Sequence, residues 1–270
     1  MSMFRTNNPA LRPDVFTGWR ETAGMELTAA RPKTMTIQGT VNATFILLGI
    51  CTACAVATWS WLAPALDAIS SGEKVAMPAM AYPALIGASL GGLVLALIIG
   101  FVPKTAPYLS PVYSAVQGGF VGAISVVTAY TFPTGPTIVL QAGLLTFGIL
   151  AGLLTAYCTR LIKPSENFKL GVAAATLGVA ILFLGTFALR LFGVQVPYIF
   201  DNGPLGIAIA GFIVLLASAN LVLDFDFIEE GAKAGAPKYM EWYGAFGLMA
   251  TLIWLYLSLL RLLKMLASRE

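Results

Sequence analysis

Apolar residues run in seven long stretches between positions 41 and 263, and polar residues gather in the gaps. A helix needs roughly 20 apolar residues to cross a bilayer. The stretches predict spans at 41–63, 82–102, 110–132, 137–157, 170–191, 205–223 and 242–263. Their ends carry stop signals: Pro103 and Lys104 after the second, Pro133 and Pro136 after the third, and Arg160, Lys163 and Pro164 after the fourth. The expected fold is therefore an all-α integral membrane protein, a bundle of seven transmembrane helices. Residues 1–40 form a polar N-terminal segment, residues 41–266 the transmembrane domain and residues 267–270 a tail.

Composition agrees with this. The chain is 58% hydrophobic and 11% charged, with a mean hydropathy of +0.82. Soluble domains average about 25% charged residues, so this chain could not cover a soluble surface. The net charge of +3 is mild and no basic run occurs, which argues against a nucleic-acid partner. Cys51 and Cys54 make a CxxC, but on a membrane helix they read as small packing residues, and a zinc site needs about four ligands. Histidine is absent, which excludes histidine ligands and bases. No GxSxG, P-loop, HExxH or dinucleotide fingerprint occurs. The chain is expected not to be an enzyme, and no resident cofactor is expected.

Orientation follows from lysine and arginine, which favour the cytoplasmic side. With the N-terminus in the cytoplasm, eleven of them fall inside and five outside. Arg261, Lys264 and Arg269 at the C-terminal end argue the other way. The lead has no apolar core of a cleavable signal, so the first span should direct insertion.

Small residues are dense. Gly87 and Gly91, Gly118 and Gly122, and Gly148 and Gly152 each form GxxxG, a spacing that lets membrane helices approach closely. Gly244, Gly247, Thr251 and Ser258 make a small stripe along the seventh span. It places that helix among other helices rather than against lipid.

The densest polar cluster is LVLDFDFIEE, residues 221–230. At about 100° per residue, Asp226, Glu229 and Glu230 share a face toward water, while Asp224 points nearly opposite, on the side of Asn220. An aspartate in the membrane costs about 2.5–3.5 kcal/mol at a helix centre and is a functional-site candidate by default. It could serve as a proton-sensitive latch or, with Asp226, as a calcium site, since calcium takes oxygen ligands. Glu241, just after Pro237 and Lys238, sits where a carboxylate caps a helix N-terminus. Gln117 and Gln141 are polar candidates for lining a pathway. Asp224 and Asp226 lie on one helix, so an intramembrane aspartic protease is a poor match.

Three stretches, PVYSAVQGGFVGAIS (111–125), TIVLQAGLLTFGILAGLLTAY (137–157) and LVLDFDFIEEGAKAGAPKYMEWYGAFGLMATLIWLYLSLLRLL (221–263), resemble the Bax inhibitor-1/YccA family. The lead NNPAL with TMTIQGTVNATFILL resembles its bacterial branch. The resemblance implies seven helices with the seventh central, a bacterial inner membrane and a pH-dependent leak of calcium or other cations. It also implies an aspartate pair from helices six and seven as pH sensor. Asp224 matches the first member; Thr251 stands where the second is expected. The second span offers no arginine lock, and Gln117 replaces a glutamate of the third-helix motif. Asp226 or Glu241 could substitute. Two functions follow. One is a cation channel with Asp224 at its cytoplasmic end, closed when protonated. The other is a non-conducting regulator that binds a membrane protease or another membrane complex, docking through the lead with Phe16 and Trp19. A monomer in the lipid bilayer is the simplest assembly.

Overall fold

The computed structural model describes residues 34–71, 81–132, 134–193 and 203–268. The N-terminal lead with Phe16 and Trp19, and the loop carrying Glu73 and Lys74, lie outside them. The described residues form α1 (Ile37–Ser70), α2 (Ala81–Phe101), a 3-10 turn (Pro103–Thr105), α3 (Ala106–Thr131), α4 (Gly135–Cys158), α5 (Glu166–Leu191), α6 (Pro204–Lys233) and α7 (Met240–Ala267). Each of the seven predicted stretches falls on one helix. Six helices are long and apolar enough to cross a membrane; the apolar part of α2, Leu85–Phe101, is shorter. The described chain contains no strand, and its β geometry is limited to a single bridge between Thr34 and Pro237.

The helices carry leucine, phenylalanine and isoleucine on their outer faces, as at Phe45, Leu93, Leu144, Leu177 and Leu215. Burial is concentrated elsewhere. α7 packs against α1, α3, α4 and α6, and α1 packs most extensively on α3. Leu221, Met249, Leu255 and Leu260 lie fully inside. α5 is peripheral, its substantial contact being with α6.

The α1–α3 crossing shows why one glycine pair matters. A Cβ on Gly118 would lie 2.9 Å from the Cα of Cys51 and 2.9 Å from the Cβ of Cys54, and one on Gly122 would lie 2.8 Å from the Cα of Ala55. The two backbones therefore touch where lipid supplies no hydrophobic drive. The hydroxyl of Ser114 donates across the same contact to the carbonyl of Leu47. Cys51 and Cys54 thus serve as packing surface, and both are free thiols. The other two GxxxG pairs do not work this way. Cβ atoms at Gly87, Gly91, Gly148 and Gly152 would meet nothing within 4 Å. On α7, Gly244 faces Ile228 of α6 and Thr40 of α1, while Gly247 faces Asp224.

Chain turns are set by local chemistry. α6 ends at Gly235, which takes φ +67°, a conformation glycine adopts without steric cost. That turn aims the carbonyl of Ala236 at the amide of Met35, 2.7 Å away. The start of α1 and the α6–α7 turn therefore meet at one end of the bundle. At the opposite end, Tyr130 of α3 donates to Asp67 of α1 at 2.6 Å.

Gly118→Leu or Gly122→Leu should destabilise the protein by about 1–3 kcal/mol through overpacking. Gly148→Leu should be neutral or stabilise by about 0.5–1 kcal/mol, because leucine favours the helix. Thermal unfolding in detergent separates the two, and equal effects at Gly118 and Gly148 would contradict the close crossing.

Candidate functional site

Asp224 sits on the face of α6 that meets α7. Its Oδ1 lies opposite Gly247, where a Cβ would come within 3.7 Å, and the Thr251 hydroxyl interacts with the carboxyl. Thr251 also donates to the carbonyl of Gly247 at 3.1 Å. The other carboxyl oxygen, Oδ2, is shut off from solvent and accepts no hydrogen bond. No ion pair to Asp224 occurs among the described residues. An unpaired buried polar atom costs about 1–3 kcal/mol, more if charged. This is the one acidic group in the described bundle left in that state.

Asn220 does not join it. Its Nδ2 donates to the Thr176 hydroxyl of α5 at 2.8 Å and to the carbonyl of Leu216 at 2.9 Å. The shared polar stripe expected for Asn220 and Asp224 is therefore divided between two neighbours, α5 and α7.

Asp226 is also separate. Lys169 at the start of α5 pairs with Asp226 at 2.6 Å, and with Glu230 and Glu166 at 3.1 Å each. Tyr157 of α4 donates to Glu229 at 2.6 Å, and Glu229 also pairs with Lys233 and, at 3.7 Å, with Arg160. Of the face expected to look toward water, Glu230 is exposed, while Asp226 and Glu229 sit in a polar seam joining the end of α4, the start of α5 and the end of α6. The side chain of Asp226 is only 17% exposed. Asp224 and Asp226 consequently do not form one ligand set. No group of three or more acidic, cysteine or histidine side chains among the described residues is arranged to hold a metal ion. The seam was not read from the sequence. Its signal was the basic residues Arg160 and Lys169, which flank the α4–α5 turn at the same end as the acidic run.

Glu241 is 4% exposed and holds the first helix. Its Oε1 accepts from the Thr36 amide at 2.8 Å, the Thr36 hydroxyl at 2.7 Å and Lys238 Nζ at 2.7 Å. Thr36 in turn caps α1, its Oγ1 accepting the Gly39 amide at 3.0 Å. Glycine at position 39 leaves room for this arrangement, since a Cβ there would collide with the Glu241 carboxylate and push it from Thr36. The cap expected from Glu241 at the start of its own helix is not formed by its side chain; its carboxylate serves the start of α1 instead. A separation of 205 positions hides that pairing from a sequence reading.

Gln117 lies against α2. A Cβ at Gly92 would come 2.8 Å from its Nε2, which is 3.4 Å from the Tyr113 hydroxyl, and its buried Oε1 is unpartnered. Gln141 lies exposed on α4, so it does not line an interior path with Gln117.

The chain matches the family model described as Bax inhibitor 1 like over residues 8–268. That is nearly its whole length, and the chain belongs to this family. No curated protein and no solved structure matches it.

Glu241→Ala should destabilise the protein by about 1.5–3 kcal/mol, the value of hydrogen bonds to a charged group. Lys238→Ala should cost less than about 1 kcal/mol, since half-exposed ion pairs contribute little. Hydrogen exchange at the first turn of α1 should rise sharply in the glutamate variant and little in the lysine variant.

Proposed function

We propose that this Bax inhibitor 1 like membrane protein is a cation-leak channel with a carboxylate at the α6–α7 contact. In this reading α2 completes seven crossings, α7 is the central helix, and the N-terminus lies on the cytoplasmic side of a bacterial inner membrane. The observation that carries it is the buried, ion-pair-free carboxylate of Asp224. Retaining such a group in a lipid-bounded helix is costly unless it is used. Gly247 leaves room beside it, and Thr251 adds a second oxygen. Separation of the α6 and α7 faces would open a path lined by these oxygens, which suit calcium, a hard cation that takes oxygen ligands. Calcium is cargo here, not a resident cofactor. Protonation of Asp224 removes the charge that draws cations in, so conduction falls at low pH.

A second reading is a non-conducting regulator of a membrane protease or other membrane complex. It is favoured by Thr251, which faces Asp224 with a hydroxyl rather than a second carboxylate.

Calcium flux into proteoliposomes at pH 6 and pH 8 tests the first reading. Wild type should leak several-fold faster at pH 8, and Asp224→Asn should leak slowly with no pH dependence. If wild type passes calcium no faster than empty vesicles at either pH, the channel reading is lost. Crosslinked copurification of a membrane partner would then support the regulator.

A further inference from the structure

An apolar crevice opens sideways between α1 and α4, which stand apart, with α7 along its floor, joined by α6 at one end and α3 at the other. One part, of about 280 Å³, follows α1 from Ile37 to Leu48 and α4 from Leu150 to Cys158. A wider part, of about 540 Å³, continues from Leu48 to Val56, with Gly143 and Phe147 of α4 opposite. Leu48 lines both. The first part spans 12 residues of α1, roughly 16 Å from end to end at 1.5 Å per residue, or about half the 30 Å hydrocarbon core.

The walls ask for nothing polar. The hydroxyls of Thr40, Thr44 and Thr146 donate to carbonyls of their own helices. In the first part polarity is confined to the end where α4 stops, at Tyr157, Glu229 and Arg160; in the wider part the hydroxyls of Ser125 and Tyr256 satisfy each other at 2.6 Å. Tyr157 and Lys233 already engage Glu229. Arg160 reaches Glu229 only at 3.7 Å, and its side chain is 68% exposed, which leaves most of its five donors open. It also takes φ +60°, a left-handed conformation uncommon outside glycine. The side chain placed over the crevice mouth gives a reason for arginine there.

We propose that this crevice seats an acyl chain of an anionic membrane lipid, with the lipid phosphate held by Arg160. One cationic mouth above the first part, an apolar trench about one leaflet deep, matches the shape and charge of such a lipid. The site is separate from Asp224, so it does not depend on the channel reading.

Native mass spectrometry of the full chain released from vesicles of equal phosphatidylglycerol and phosphatidylcholine tests this. Wild type should retain phosphatidylglycerol about fivefold over phosphatidylcholine, the factor for about 1 kcal/mol per arginine near an anionic surface. Arg160→Gln should abolish the preference while still retaining lipid. Leu154→Trp, which fills the trench, should cut retention of both lipids. Circular dichroism checks that each variant is folded; if Leu154→Trp is not, Thr44→Phe replaces it. Equal retention of the two lipids by wild type would overturn the proposal. So would a preference that survives Arg160→Gln, retention indifferent to filling the trench, or a second protein copy seated in place of lipid.

Discussion

Inside a membrane no polar group can rely on water, and this constraint orders the whole molecule. Backbone groups are satisfied within helices, and the hydroxyls follow suit. Thr58, Thr128, Thr186, Ser218 and Ser258 each donate to the carbonyl four residues earlier on the same helix. A helix that satisfies itself has no polar reason to bind its neighbour. Helices must then be held by close steric fit and by a few side chains that reach across. The α1–α3 crossing at Gly118 and Gly122 is the steric case. The Ser125–Tyr256 pair at 2.6 Å and the Asn220–Thr176 bond are polar cases, as is the Ser114 hydroxyl on the Leu47 carbonyl.

Against that background the polar groups sort into two kinds. Glu241 and the seam around Lys169 sit at one end of the bundle, where each carboxylate meets a cation. Asp224 is matched by a single hydroxyl. The difference is one of placement: Asp226 reaches Lys169 because its face turns toward the start of α5, while Asp224, two residues earlier, turns toward the glycine and threonine of α7. A rotation of about 200° between neighbours in the same acidic run separates a structural clamp from the candidate functional group.

Much of the fold was legible in the chain because lipid imposes a simple rule of length and apolarity. The seven apolar stretches lie on α1 to α7, and the acidic run at 221–230 continues α6 rather than ending it. The rest depended on what stands opposite each residue. Three GxxxG pairs look alike in sequence, yet only Gly118 and Gly122 have another backbone against them. Gln117 and Gln141 are the same residue in similar surroundings, yet one is wedged against Gly92 and the other faces outward. Periodicity assigned Asp224 to a different face from Asp226, but it could not name Thr176 as the partner of Asn220 or Lys169 as the partner of Asp226.

The junction of Glu241 with Thr36 has a consequence for how the protein is made. The cap of the first helix is completed by a residue 205 positions later. A ribosome delivers α1 to the membrane long before that carboxylate exists, so the helix enters with the Thr36 amide unanswered. It must be sheltered by headgroup water or by the insertion machinery until the last helix arrives. Contacts of such long sequence separation are slow to form, so closure of the bundle is a late event, made when the last helix has been delivered.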